Sequence, residues 1–113
     1  MKRYATFALA LSALAPSAFA DGSVVATWYG NELRGNRTAS GEMFNPDGLT
    51  AAHKTLPLGT CLVVANPKTG KSVKVRVNDR GPYTKGVSLD LSAGAARAIG
   101  MRSTQGVTMR RCG

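Results

Sequence analysis

Short β-branched and aromatic segments, separated by turn residues, limit what this chain can fold into. Val24–Tyr29 is one such segment. Two others, Thr60–Ala65 and Ser72–Val77, flank the turn Asn66–Gly70 and predict a β-hairpin. In the second arm apolar residues alternate with polar ones, namely Val73, Val75 and Val77 with Lys74, Arg76 and Asn78. This alternation predicts a sheet with one buried face and one wet, basic face.

The rest of the chain adds more short strands and a single helix. Two further strands are predicted at Val87–Leu91 and Gly106–Arg111, and Leu49–His53 is expected to be either a short strand or an extended segment. We expect Ser92 to cap a short alanine-rich helix that runs to about Ile99, and Gly100 to end it. Many short strands with so little helix indicate a mainly β protein, a small β-barrel with one or two short helices.

A long irregular stretch, Asn31–Gly48, separates the first two predicted strands. It is rich in Gly, Asn, Ser and Arg and ends in the turn Pro46–Gly48. Such long loops in small domains are usually either functional or disordered. The sequence leaves both alternatives open for this segment.

The first 20 residues have the pattern of a secretory signal peptide. Lys2 and Arg3 precede the apolar run Phe7–Leu14, and Ala18–Ala20 supplies a small-residue cleavage site. The run is too short to span a bilayer. We therefore expect cleavage after Ala20, with one soluble domain, residues 21–113, exported to the periplasm or the medium.

The charge balance limits the kinds of partner that the protein is expected to bind. The whole chain has 15 Lys and Arg against 6 Asp and Glu, and loss of the signal peptide leaves 13 against 6, a net charge of +7. Export argues against a cytosolic nucleotide enzyme and against nucleic acid, and favours an anionic envelope polymer. The alternative is that the charge only aids solubility. One His and two distant Cys argue against a zinc site, so we expect no metal and no cofactor.

Cys61 and Cys112 are the only cysteines. An oxidising destination predicts that they form a disulfide, which would close a loop of about 50 residues and stabilise a domain of this size. The alternative is two free, buried thiols. No motif around either residue indicates catalysis.

Acidic residues are scarce, so each deserves a functional hypothesis beside a structural one. Glu42 follows a polar loop and precedes apolar residues, where the pKa of a carboxyl can be raised enough for a general acid. His53 is the single histidine, and a lone histidine is more often structural. Asp79 could simply accept backbone N–H bonds in its own turn. Asp90 could merely support the N-terminus of the predicted helix.

Five blocks of the chain, in order, resemble the RlpA-like (rare lipoprotein A) family. They are Ala26–Gly30 (ATWYG), Thr38–Glu42 (TASGE), Leu49–Gly59 (LTAAHKTLPLG), Val75–Pro82 (VRVNDRGP) and Leu89–Ser92 (LDLS). The resemblance covers most of the chain after residue 25. It implies a six-stranded double-psi β-barrel and lytic transglycosylase activity on peptidoglycan glycan strands.

The resemblance also implies site residues. The essential acid and histidine of the family match Glu42 and His53, and Asp79 lines the same groove. Asp90 falls where related double-psi barrels, including expansins and another lytic transglycosylase family, carry a key aspartate. Aromatic and basic residues of the matching blocks are expected to bind substrate, namely Trp28, Tyr29, Arg80 and Tyr83. Core packing is the alternative for Trp28.

The implied chemistry suits a chain with few carboxylates. A lytic transglycosylase cleaves the β-1,4 bond after N-acetylmuramic acid with the sugar's own C6 hydroxyl, which leaves a 1,6-anhydro end. One acid/base therefore suffices, at Glu42 or an aspartate partner, with His53 orienting it or sharing the proton. The alternative is a non-catalytic, expansin-like binding module. Because Ala20-Asp21 stands where family lipoproteins carry a lipid-bearing cysteine, we expect no lipid anchor, and we expect a monomer.

Overall fold

Six strands and one α-helix lie close to the segments that the sequence predicts. The computed structural model describes residues 22–113, so the expected signal peptide at residues 1–20 lies outside the described residues. The strands are β1 (Gly22–Tyr29), β2 (Thr50–His53), β3 (Cys61–Asn66), β4 (Lys71–Asp79), β5 (Leu89–Ser92) and β6 (Gln105–Arg111). The helix α1 is Ala93–Ala98, and a 3-10 turn occupies Asn31–Leu33. Within residues 22–113, the helices are too short and too polar to cross a membrane.

The strands close into a barrel in the order β1-β5-β2-β4-β3-β6. Two pairs, β1 with β5 and β2 with β4, are parallel, and the other four pairs are antiparallel. Parallel neighbours cannot be joined by tight hairpins, so the chain crosses over between them. The expected six-stranded double-psi β-barrel is confirmed.

The inward faces of the strands form one apolar core. The predicted alternation in β4 is correct for its valines, because Val75 and Val77 are buried and Val73 packs against the same core. The expectation of a wet outer face is wrong at one position. Asn78 is buried, because the loop formed by residues 31–48 lies over it.

Helix α1 closes the barrel next to that loop, and its start and end are as predicted. The Ser92 side chain accepts a hydrogen bond from the Ala95 backbone N–H at 3.2 Å, as an N-cap does. Gly94 approaches the loop so closely that a Cβ there would lie 2.7 Å from the carbonyl oxygen of Asp47. Gly100 follows the helix with a φ of +68°, the conformation that favours glycine at a helix end.

The predicted disulfide between Cys61 and Cys112 is confirmed, and the alternative of two free thiols is wrong. It links the segment after β6 to the start of β3, and the Cys112 N–H also donates to the Cys61 carbonyl at 3.0 Å. The covalent bond therefore holds the last strand against its neighbour in the closed barrel.

Candidate active site

The candidate site lies on the outer face of β1, β5, β2 and β4. Strand register places Thr27, Asp90, Ala52 and Asp79 in one row across these four strands. A β-bulge between Ala51 and Ala52 brings Asp79 into this row. Asp79 and Asp90 thus flank the small Ala52, with their Cα atoms about 10 Å apart, or two strand spacings. The row therefore has a carboxylate on each side of Ala52, and we refer to this surface and the loop packed against it as the groove.

The loop of residues 31–48 folds over one end of this groove. Phe44 stacks on Tyr29 with ring centroids 4.6 Å apart, and both rings pack against Ala52. The Ser40 N–H donates to the Asn78 carbonyl at 3.0 Å, and the Ala39 N–H donates to Asp79 Oδ1 at 2.9 Å. Of the two alternatives for this segment, the structure supports an ordered loop that shapes the site.

Asp90 is the carboxyl whose surroundings favour a proton. Its Oδ1 is buried and has no hydrogen-bond partner among the described residues. Burial, followed by the negative charges of Glu32 and Asp79, raises its pKa from 3.8 to about 7. A carboxylic acid with a pKa of about 7 is about half protonated at neutral pH, so it can both donate and accept a proton there.

Glu42 has the opposite protonation state, and the expectation of a raised pKa is wrong. Arg76 binds both of its oxygens, at 2.6 and 3.2 Å, and Asn78 Nδ2 donates to Oε1 at 2.9 Å. These donors, with Ser40 Oγ at 3.3 Å, lower the pKa of Glu42 to about 2. The apolar neighbours do not surround the carboxylate, so donor bonds outweigh burial. Glu42 is therefore an anion at working pH.

His53 ends β2 and is held in one tautomer. Its Nδ1 accepts hydrogen bonds from the backbone N–H groups of Thr55 and Leu56, both at 3.1 Å. Burial and the nearby cations Arg80 and Lys54 lower its pKa, so the ring is neutral. A neutral imidazole that accepts at Nδ1 carries its proton on Nε2. His53 can thus donate a hydrogen bond through Nε2.

Asp79 and Arg80 both bind backbone groups. Asp79 Oδ1 accepts from the Arg80 N–H at 2.9 Å, as its structural interpretation predicted, and also from Ala39. Arg80 Nη1 donates to the carbonyls of His53 and Leu56, at 3.1 and 2.7 Å. The expected substrate-binding arginine therefore fixes the segment that orients His53.

The predicted aromatic residues occupy different surroundings. Tyr29 lies in the groove with its hydroxyl buried and unpartnered among residues 22–113, and burial beside Asp79 and Asp90 raises its pKa. Trp28 points to the other side of β1, where it lines a cavity of about 160 Å³ against α1 and donates to the Arg102 carbonyl at 3.0 Å. Tyr83 is 79 % exposed.

Sequence reasoning missed three residues that set the charge states. Arg76 and Asn78 hold Glu42, and Glu32 adds to the field at Asp90. The signal for the first two was present, because both alternate with the buried valines of β4 and so face outward. Within residues 22–113, the structure has no group of three or more His, Cys, Asp and Glu side chains placed to hold a metal ion.

Comparison with known proteins finds relatives that share the sequence motifs and others that share the fold. Residues 21–110 match a family model described as "Lytic transglycolase". The chain is 60% identical over 80 residues to the "Probable endolytic peptidoglycan transglycosylase RlpA" of Synechocystis, which covers 71% of this chain and 25% of that protein. It is 51% identical over 82 residues to the "Endolytic peptidoglycan transglycosylase RlpA" of Campylobacter jejuni, covering 73% and 29%. The chain thus spans less than a third of the length of these relatives.

Solved structures share the barrel. An expansin from Clavibacter michiganensis superposes with a TM-score of 0.64 at 25% identity, covering 82% of this chain and 50% of that one. A Streptomyces papain inhibitor superposes with a TM-score of 0.63 at 19% identity, covering 82% and 94%, which reflects the fold alone. The family model matches residues 21–110, which contain nearly all of the closed six-stranded barrel. The chain therefore belongs to the RlpA-like family of double-psi β-barrel domains.

Proposed function

We propose that this protein is an exported lytic transglycosylase that cleaves the β-1,4 bond between N-acetylmuramic acid and N-acetylglucosamine in peptidoglycan. One observation carries the proposal: the candidate site of a family member holds a carboxyl, Asp90, with a pKa near neutrality, whereas Glu42 in the loop over the same site stays ionised. Two acidic groups with such different pKa values are typical of an acid/base site. The names of the Synechocystis and Campylobacter jejuni relatives, both peptidoglycan transglycosylases, support the same substrate.

Asp90 is the general acid in this mechanism. Its proton passes to the glycosidic oxygen as the bond from that oxygen to C1 of N-acetylmuramic acid breaks. The C6 hydroxyl of the same sugar forms the new bond to C1, and its proton passes to the Asp90 carboxylate. The reaction consumes no water, and Asp90 returns to its protonated form. Hydrolytic glycosidases need a second carboxylate to activate water or to attack.

The other groove residues position the sugar and stabilise charge. Ionised Glu42 supplies negative charge near the positively charged anomeric centre that forms as the bond breaks. Glu42 also ties the loop of residues 31–48 to β4 through Arg76 and Asn78. His53 donates from Nε2 to a sugar oxygen. Tyr29 forms the wall of the groove next to both aspartates, and exposed Tyr83 offers a ring face to a sugar.

The test is release of 1,6-anhydro-muropeptides from purified sacculi, measured by mass spectrometry. We expect Asp90→Asn to lower release by about 10²- to 10⁴-fold, the usual contribution of a general acid. Asp47→Asn is the matched control, because it makes the same chemical change at an exposed site bound to Arg34 and Arg97. Equal loss in both variants, or none in Asp90→Asn, would contradict the assignment.

A second candidate is a non-catalytic module that binds polysaccharide, as in expansins. The superposition on an expansin favours it. The same assay separates the two candidates, since binding to sacculi without any anhydro product would support the module.

Export and the oligomeric state belong to the proposal as well. The signal-peptide pattern of residues 1–20 and the disulfide support a periplasmic or secreted location. The proposed form is a monomer without a lipid anchor. Mass spectrometry of the exported protein should find Asp21 as its first residue, and light scattering should give the mass of one chain.

A further inference from the structure

Four buried side-chain oxygens have no hydrogen-bond partner among residues 22–113, and each belongs to a different strand of the groove. They are Tyr29 Oη on β1, Thr50 Oγ1 on β2, Asn78 Oδ1 on β4 and Asp90 Oδ1 on β5. Buried polar groups in proteins are normally paired, so an unpaired group in a candidate site needs an explanation. Tyr29 and Asp90 are the two members of this set that titrate.

Tyr29 and Asp90 are diagonal neighbours on the outer face of the barrel. Thr27 pairs with Asp90 where β1 and β5 run parallel, and Tyr29 lies two residues further along β1. Both side chains point outward, because Ala26 of β1 and the leucines on either side of Asp90 belong to the core. Diagonal neighbours on one face have Cα atoms about 7–8 Å apart and are within reach of aromatic side chains. The hydroxyl at the end of the Tyr29 ring can therefore reach the Asp90 carboxyl.

Packing directs the Tyr29 ring towards the strand that carries Asp90. Tyr29, Phe44 and Ala52 form one buried cluster, and Ala52 lies on β2 directly opposite Asp90. Because β5 lies between β1 and β2, a ring on β1 that joins this cluster leans over β5. Phe44 stacks on the ring with an interplanar angle of 24°, and Tyr29 is only 7 % exposed. The hydroxyl is thus held within the site and away from solvent.

The charged groups that act on Asp90 are both anions. They are Glu32, in the 3-10 turn after β1, and Asp79 on β4. The residue that β2 places opposite Asp90 is Ala52, whose methyl group cannot form a hydrogen bond. Burial, followed by the negative charges of Asp79 and Asp90, raises the pKa of the Tyr29 hydroxyl, which therefore keeps its proton. Tyr29 remains a hydrogen-bond donor at every pH at which Asp90 titrates.

We propose that Tyr29 is a positioning residue for Asp90: its hydroxyl donates a hydrogen bond, directly or through one water molecule, to the Asp90 carboxylate once Asp90 has given up its proton. The inference rests on the function proposed above. The bond stabilises the Asp90 anion as the proton passes to the glycosidic oxygen. The same anion then takes the proton of the C6 hydroxyl. The Tyr29 proton stays on its own oxygen throughout, so no covalent bond to Tyr29 forms or breaks.

The test is Tyr29→Phe, which removes one oxygen and keeps the ring that stacks on Phe44. The Asp90 anion should lose a donor, so the pKa of Asp90 should rise from about 7 to about 8. The carboxyl ¹³C shift of Asp90 in the free protein measures this titration. For release of anhydro product from solubilised glycan strands, kcat should fall about tenfold and KM should stay the same, because the bond forms only as the proton leaves.

The matched control is Tyr83→Phe, which makes the same chemical change at an exposed position. It should leave the pKa of Asp90 as in the wild type. An equal rise in both variants would overturn the inference, and so would an unchanged or lower pKa of Asp90 in Tyr29→Phe. A rise in KM alone would also overturn it, because Tyr29 would then act by binding the sugar. The wild-type protein offers a measurement that needs no variant: the Cζ ¹³C shift of Tyr29 should change with the midpoint of the Asp90 titration, and a constant shift from pH 5 to 9 would contradict the bond.

Failure of this inference and failure of the proposed function give different results, because the titration of Asp90 needs no substrate. Anhydro product from the wild type with the same Asp90 pKa in Tyr29→Phe would contradict the role of Tyr29 and leave the transglycosylase intact. A raised Asp90 pKa in Tyr29→Phe without any product from the wild type would contradict the transglycosylase and support the bond between Tyr29 and Asp90.

Discussion

The groove and the basic face, which is the outer side of β3, β4 and β6 around Lys74 and Arg110, are two parts of the outer wall of the barrel. They differ more in how far other segments cover them than in the number of charges. In the groove, Phe44 of the loop of residues 31–48 packs against Tyr29 and Ala52, and one oxygen of Asp90 is buried. On the basic face no segment of residues 22–113 covers Lys74 or Arg110, and both are exposed. The groove holds Asp90 in a poorly solvated place, whereas the cations of the basic face lie in water.

This difference separates chemistry from attraction. Removing water from Asp90 shifts its pKa, because burial penalises the charged form and nearby anions add to the cost. Cations in water keep their charge and act through long-range attraction that salt screens. The part of the barrel wall under the loop therefore suits acid/base chemistry, and the uncovered part suits the binding of a charged partner.

The largest expected effect is on the pH dependence of the groove. The rate of product release should fall about tenfold per pH unit above pH 7, because Asp90 then loses the proton that it donates. Glu32→Gln should move this decline to lower pH, since the negative charge of Glu32 raises the pKa of Asp90. Rates measured from pH 5 to 9 test both statements. A flat profile to pH 9, or a shift to higher pH, would refute them.

Loss of the disulfide should lower stability and leave the groove unchanged. Cys61→Ser/Cys112→Ser should reduce the free energy of unfolding by about 2–5 kcal/mol, because the unfolded chain is no longer constrained and the end of β6 can separate from β3. Thermal unfolding measures the loss, and wild-type protein in reductant should match the variant. The pH at which activity declines should stay the same. A shift in that pH would mean that the bond shapes the groove.

Asp90 should cost stability above neutral pH. Its folded pKa lies above its ordinary value, so the native state holds a proton that the unfolded chain releases. The free energy of unfolding therefore falls as pH rises from about 4 to about 7 and then levels off. Asp90→Asn cannot ionise and should melt above the wild type at pH 8, on the order of 5 °C, and near it at pH 4. The opposite order of melting temperatures would show that Asp90 is solvated.

The smallest effect is expected where the groove meets the basic face. Arg76→Gln should raise the pKa of Glu42 from about 2 towards its model-peptide value of 4.5. Stability should change by less than about 1 kcal/mol, because both side chains are partly exposed. The carboxyl ¹³C shift of Glu42 reports the titration. Arg97→Gln is the control, since its partner is Asp47. An unchanged Glu42 titration in Arg76→Gln would show that Asn78 and Ser40 are enough.

Most elements of the fold could be predicted from the sequence because their signals are local. Ser92 as the helix cap and Gly100 as its end depend on neighbours within four residues. Period-two alternation identified the buried valines of β4. The closure order and the two parallel pairs could not be read from such patterns, since they depend on which distant strands meet. The family resemblance supplied the six-stranded double-psi β-barrel, and the strand order and the two parallel pairs came from the tertiary structure.

The candidate site divides in the same way. The sequence by itself determined which side chains are available, namely a few acids, one histidine and two cysteines, and the pairing of the cysteines. Only the tertiary structure decided their charge states. Glu42 is held by Arg76 and Asn78, which lie 34 and 36 residues away in the sequence. These two partners make Glu42 an anion, although its neighbours in sequence predicted an acid. The pKa of Asp90 is raised because burial and then the charges of Glu32 and Asp79 penalise its anion, and solvation depends on what the whole chain brings to one place.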